Sequence, residues 1–182
     1  QNSQHIFNQG GSYDVQLSVI SSYGCENSVL NQVNVNYLPV VNFLSDTVCF
    51  GNPSSFYDVS SITGATNVTW NWNIGDGNLL TDQNAMFTFN NSGVQNVSLT
   101  VTSSKGCTAT NSGTAFVYDL PESNFLVQDA CLNNNIEPNN LSANNLTYNW
   151  NFGDANSSTN QNPTHNYNNP GVYQIDLMVT SA

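Results

Sequence analysis

The stretch WNWNIGDG, Trp70 to Gly77, alternates apolar and polar side chains and then stops at a glycine-flanked acid. Val68, Trp70, Trp72 and Ile74 fall on one side of an extended chain, and Thr69, Asn71 and Asn73 on the other. Strict period two predicts a strand with one face buried and one face wet. The pattern returns as YNWNFGDA at Tyr148 to Ala155, where Leu146, Tyr148, Trp150 and Phe152 alternate with Thr147, Asn149 and Asn151. Trp72 and Trp150 lie on the apolar face, so both are predicted in a core; the competing reading is a platform for stacking sugars.

Working outward, the downstream segments also repeat. MFTFNNSG (Met86–Gly93) and NVSLTV (Asn96–Val101) correspond to PTHNYNNPG (Pro163–Gly171) and YQIDLMV (Tyr173–Val179). A first copy survives only as its second half, QHIFNQGG (Gln4–Gly11) and YDVQLSV (Tyr13–Val19). Gly11 and Gly93 are 82 residues apart, as are Cys25 and Cys107, and Cys49 and Cys131. Trp72 and Trp150 are 78 apart, as are Asp76 and Asp154, so a four-residue difference falls between the early cysteine and the tryptophan, where a loop is expected. A period of this length is one small module, and its recurrence signals a tandem array. Val, Thr, Tyr, Phe and Trp fill the strands, Gly, Asn, Asp, Ser and Pro the turns, and no helical periodicity competes. The fold class is therefore all-β: a tandem array of antiparallel β-sandwich modules.

Composition narrows the setting. Lys plus Arg is 1 against 12 Asp plus Glu, a net charge of −11. With Lys105 the one basic side chain, nucleic acid is excluded as a partner and direct membrane contact is disfavoured. Yet only 7% of residues are charged; surface polarity comes from Asn, Ser, Thr and Gln. No hydrophobic run spans a bilayer, so export would be directed by parts of a longer parent.

Chemistry-bearing motifs are few. Gly75-Asp76 and Gly153-Asp154 suit a turn in which Asp accepts nearby amides. Asp76 and Asp154 are also weak calcium candidates, but calcium needs six to eight oxygens and the neighbours are mostly uncharged. His5 and His165 align with Phe87, which marks a packing position rather than a metal ligand. No nucleophile elbow, phosphate loop or zinc helix is present, so neither an enzyme nor a cofactor is expected.

These linked motifs resemble PKD repeats, immunoglobulin-like modules whose pattern runs aromatic-x-Trp-Asp-Phe-Gly-Asp-Gly, then Pro-x-His-x-Tyr, a Pro-Gly turn and an alternating Tyr-x-Val-x-Leu-x-Val strand. Asn73 and Asn151 depart from the first Asp, Ala155 from the last Gly, Phe87 and Phe89 from the His and Tyr, and Gln95 from the strand's first Tyr. The first of these weakens any cation site implied by the family's paired Asp residues. The resemblance divides the chain into the C-terminal part of one module (1–38), a complete module (39–119) and a module lacking its last strand (120–182). Proline linkers join them near Tyr37-Leu38-Pro39 and Asp119-Leu120-Pro121. Donor-strand completion by a neighbouring chain is an alternative account of the partial modules.

In an immunoglobulin-like sandwich the F–G turn lies at the N-terminal pole and the A–B connection at the C-terminal pole. The resemblance therefore implies that Cys25, Cys49, Cys107 and Cys131 have their partners in neighbouring modules, A–B cysteine to the F–G cysteine of the next. An internal Cys49–Cys107 bond, or free thiols, are the alternatives. Cysteine-containing PKD repeats with an Asn/Thr/Ser surface resemble giant surface adhesins of Bacteroidota, including gliding-motility adhesins exported by the type 9 route. That resemblance implies a non-enzymatic stalk of a cell-surface filament, its partners the adjacent modules and, through a distant tip, a surface polysaccharide or other adhesive ligand. It also makes Thr47, in Asp46-Thr47-Val48, an O-glycosylation candidate, preferred to Asn67, Asn96, Asn140, Asn145 and Asn156, which head Asn-x-Ser/Thr triplets. The alternative function is a spacer or carbohydrate-contacting accessory module of a secreted hydrolase.

Overall fold

The computed structural model describes residues 3–64, 68–75, 77–143 and 146–181. Among them are 17 strands and no helix. The chain divides into two compact units, Gln1–Tyr118 and Asp119–Ala182.

The first unit opens with a long hairpin of β1 (Gly11–Ile20) and β2 (Glu26–Val35), paired antiparallel from Gly11↔Val35 to Ile20↔Glu26. Val15, Leu17 and Val19 share one face as their alternation predicts, but that face stays exposed. A sandwich follows. One sheet is β3 (Phe43–Ser45), β5 (Ser54–Asp58) and β8 (Ala85–Phe87). The other runs β4 (Thr47–Cys49), β10 (Thr108–Tyr118), β9 (Gly93–Ser103), β6 (Val68–Asn73), β7 (Leu79–Leu80). Trp72, Phe56, Val97, Leu99 and Val101 are all buried between the sheets. Phe43 meets the edge of Trp72 at 5.3 Å between centroids. Gly113, inside β10, leaves room for it: a Cβ there would stand 3.0 Å from Phe43 Cζ.

One feature departs from a purely antiparallel sandwich. The first strand breaks at Asp46: β3 pairs antiparallel with β5, and β4 pairs parallel with β10. Asp46 holds the break by accepting the Ser55 N–H at its carboxylate (2.8 Å) and donating its own N–H to Ser55 O. Switching sheets lets one short strand cover an edge of each sheet, which leaves fewer unpaired backbone groups.

Outward positions of the larger sheet align in rungs. Thr69, Thr102 and Thr108 stand side by side, then Asn71, Thr100 and Thr110, then Asn73, Ser98 and Ser112.

The second unit repeats the plan. Its strands are β11 (Phe125–Leu126), β12 (Asn135–Ile136), β13 (Asn139–Asn140), β14 (Leu146–Asn151), β15 (Ser157–Ser158), β16 (His165–Asn166) and β17 (Asp176–Ser181). They form the pairs β11–β13 and β12–β16 and the sheet β15-β14-β17. Ile136, Tyr148, Trp150 and Phe152 make its core. The alternation from Tyr173 predicts a strand there, but β17 begins at Asp176, opposite Asn151, where β14 first offers a partner. Ile175 still packs on the core.

Candidate functional site

Four cysteines occupy two kinds of turn. Cys25 and Cys107 close the β1–β2 and β9–β10 hairpins, the F–G turns of their modules (strand F being β1 and β9), with one geometry. Ser21 and Ser103 each donate their N–H to the cysteine carbonyl (2.9 Å in both). Each serine hydroxyl oxygen accepts the cysteine N–H, at 3.1 Å for Cys25 and 3.2 Å for Cys107. Cys49 and Cys131 open the other kind, accepting Asn52 N–H and Asn134 N–H at 3.0 Å. Their third positions, Gly51 (φ 89°) and Asn133 (φ 67°), are left-handed, as glycine and asparagine best tolerate.

The register separates the two kinds within one module. Cys49 lies beside Tyr118 at one end of β10, whereas Cys107 immediately precedes Thr108 at the other. Ten residues of strand put about 33 Å between those ends. A disulfide needs Cα atoms within about 7 Å, so the internal Cys49–Cys107 bond is ruled out by geometry. All four thiols are unbonded in this chain; Cys25 and Cys131 are exposed, Cys49 and Cys107 half-buried.

The Gly-Asp turn is described in the second unit only, since Asp76 lies outside the described residues. Asp154 Oδ1 accepts the Asn156 N–H (3.1 Å), the turn-fixing contact the sequence suggests. Its Oδ2 faces His165 Nε2 at 2.8 Å, and the His165 ring stacks on Phe152 at 4.2 Å. The imidazole thus both packs and pairs. Desolvation pushes the Asp154 carboxyl up, but hydrogen bonds from Asn156 and His165 and the His165 charge outweigh it and hold the pKa below the usual carboxylate value. Among the described residues no three His, Cys, Asp or Glu side chains gather as a metal site.

Gly153 (φ 76°) has no substitute: a Cβ there would stand 2.5 Å from Gln174 O. Ala155, at φ 70°, occupies a left-handed position that Gly77 (φ 77°) fills in the middle copy.

Two polar clusters escaped the reading of the sequence. Asp58 accepts Trp70 Nε1–H at 2.7 Å, Ser60 N–H at 2.9 Å and Gln83 Nε2–H at 3.4 Å. Partial burial raises the Asp58 pKa, but these bonds outweigh it and leave it lowered. The repeat carried the signal: Asp58 and Trp70 correspond to Asn140 and Tyr148, which change together, while Gln83 is kept as Gln161. Asn140 there accepts Ser142 N–H and donates to Gln161 O, while Tyr148 O–H turns to Ala143 O. The second cluster is the start of strand F. Tyr13 O–H donates to Gln9 O (2.9 Å) and Tyr173 O–H to Asn169 O (3.0 Å). Gln95, standing in for the tyrosine, donates Nε2–H to Asn91 O at 2.9 Å, so the corner bond survives the substitution.

Thr47 is exposed on β4 and shares its face with Phe116. Asn96 is exposed; Asn140 and Asn156 have their side chains engaged, and Asn67 and Asn145 lie outside the described residues.

A family profile described as PKD domain matches residues 36–117 and 127–182. Collagenase ColA of Bacillus cereus is 50% identical over 37 residues, covering 20% of this chain and 4% of the collagenase. The chain thus spans a small fraction of that curated relative. The PKD1 domain of Vibrio anguillarum Epp is 29% identical over 47% of this chain and 99% of its own, with a TM-score of 0.44. The PKD1 domain of the Vibrio cholerae metalloprotease PrtV is 27% identical over 44% of this chain and 98% of its own, with a TM-score of 0.40.

Proposed function

From a chain that belongs to the PKD domain family, we propose a non-catalytic stalk segment of a large exported cell-surface adhesin filament, serving adhesion or gliding motility. The observation that carries this reading is the placement of Cys49 and Cys107 in two stereotyped turns at opposite ends of one module. A cysteine at each pole, recurring at the same interval in the next copy, suits covalent ties between successive modules. Such ties limit pivoting and restrict how much chain is released when a module opens under load. In this reading the direct partners are adjacent modules, the adhesive ligand belongs to a distant tip, and Thr47 is available for O-glycosylation from its exposed position. Surface biotinylation of intact source cells, followed by immunoblotting with antibody to this chain, tests it. The expected product is one labelled species many modules long; an unlabelled intracellular product would refute it.

A second reading, an accessory module of a secreted hydrolase, is favoured by the matches to a collagenase and to a domain of a metalloprotease. It predicts a labelled or secreted parent carrying only a few modules beside a proteolytic domain.

A further inference from the structure

We propose that the outer face of the β10-β9-β6 sheet binds an uncharged polysaccharide along its strands. At one end of this face Phe116 and Tyr118 stand outward, 38% and 52% exposed, with ring centroids 4.9 Å apart at 70°. From this aromatic step the three Thr/Asn/Ser rungs run away along the strands. Within them Thr100 and Thr110 share a hydrogen bond between hydroxyls at 2.8 Å. Successive rungs are about 7 Å apart along a strand and neighbours about 4.8 Å apart across strands. From Thr108 to Phe116 the track is therefore about 27 Å long, enough for several sugar rings.

The chemistry selects the ligand. No outward residue of these rungs or of the aromatic step is charged, so the face offers nothing to compensate an anionic glycan or a charged peptide segment. Hydroxyls and carboxamides both donate and accept, which matches a chain of hydroxyls. An aromatic ring half in water suits the apolar face of a sugar ring.

The repeats supply an internal comparison. At the positions of Thr108, Ser112, Phe116 and Tyr118, one period earlier, stand Glu26, Leu30, Asn34 and Asn36. On the last module, Asp176 and Met178 take the places of Ser98 and Thr100. The sandwich needs none of these outward positions for its core, and among the described residues the charge-free ladder with an aromatic pair stands on the middle module. This surface is independent of the stalk proposal, which survives its failure.

The test is affinity electrophoresis of the whole chain in native gels containing hydroxyethylcellulose, dextran or galactomannan, with alginate as the anionic control. The expected result is at least a twofold loss of relative mobility in one or more neutral gels and none in alginate. The double variant Phe116→Ser/Tyr118→Ser, and separately Thr110→Lys, should restore full mobility. Both alter exposed positions, and an unchanged circular-dichroism melt verifies each fold. Tyr23→Ser, in the distant hairpin turn, should behave as the parent chain. Unchanged mobility in all three neutral gels, retention in alginate alone, or retardation that persists in the double variant would overturn the proposal. Concentration-dependent slowing without polysaccharide would overturn it in favour of self-association.

Discussion

Replacing Ala155 with glycine should stabilise the second unit. Ala155 holds φ 70°, where an L residue brings its Cβ too close to the following carbonyl oxygen. That costs about 1–2 kcal/mol. Glycine removes this cost but returns about 0.5–1 kcal/mol through its freer unfolded chain. The net gain is about 0.5–1 kcal/mol. The middle copy provides the reciprocal experiment. Gly77 holds φ 77° with nothing within 4 Å of a built Cβ, so Gly77→Ala should cost the same 0.5–1 kcal/mol through backbone conformation alone. Gly153→Ala sets the other bound, because its Cβ would also strike Gln174 O at 2.5 Å, and backbone cannot move aside cheaply. It should cost well over about 2 kcal/mol. Urea unfolding followed by tryptophan fluorescence resolves the series, since Trp150 reports the second unit and Trp70 and Trp72 the first. With a urea slope of about 1–2 kcal/mol/M, the midpoint of the second unit should rise by roughly 0.5 M in Ala155→Gly. A fall in that midpoint, or a neutral Gly77→Ala, would refute the conformational argument.

Trp72→Phe should destabilise the first unit by about 2–3 kcal/mol, of which ~1 is the lost bond to Asp82 O and the rest a void; urea midpoints of the second unit should not move. Gln95→Ala should cost about 0.5–1.5 kcal/mol and Gln95→Tyr nearly nothing, because tyrosine can restore the corner bond; thermal melts distinguish them. Asp58→Ala should cost about 1–3 kcal/mol at pH 7, leaving Trp70 Nε1–H unpaired. Because the folded-state pKa of Asp58 is lowered from 3.8, its contribution is fully present above that value and is lost as pH falls through the folded pKa. Melts at pH 7 and pH 3 should therefore show the difference from the parent chain shrinking in acid; a difference that grows would contradict the sign.

The sandwich was legible because alternation and the repeat interval constrain the same residues twice. Trp72 and Trp150 fall inward by period two, and both donate their indole N–H to a carbonyl ten residues on, Asp82 O and Asn160 O. Other features needed coordinates. The break at Asp46 depends on Ser55, a contact across strands that no local pattern announces. β17 starts late because pairing requires a neighbour, which alternation does not count. His165 was readable as a packing residue from its alignment with Phe87, but its bond to Asp154 spans two turns. The Asp58 cluster was visible only as a joint change between copies, which becomes interpretable once the contacts are known. The two cysteine turns are visible in the spacing, but only the length of β10 sets Cys49 and Cys107 at opposite ends of the module and decides against an internal bond.

The most direct test of the stalk account is non-reducing peptide mapping of the native parent protein, digested with chymotrypsin because Lys105 is the one basic cleavage point in this chain. The account predicts that the peptide carrying Cys49 is disulfide-linked to the F–G turn cysteine of the following module, and the peptide carrying Cys107 to the A–B turn cysteine of the preceding one. Recovery of both as free thiols, or linked to each other, would contradict it.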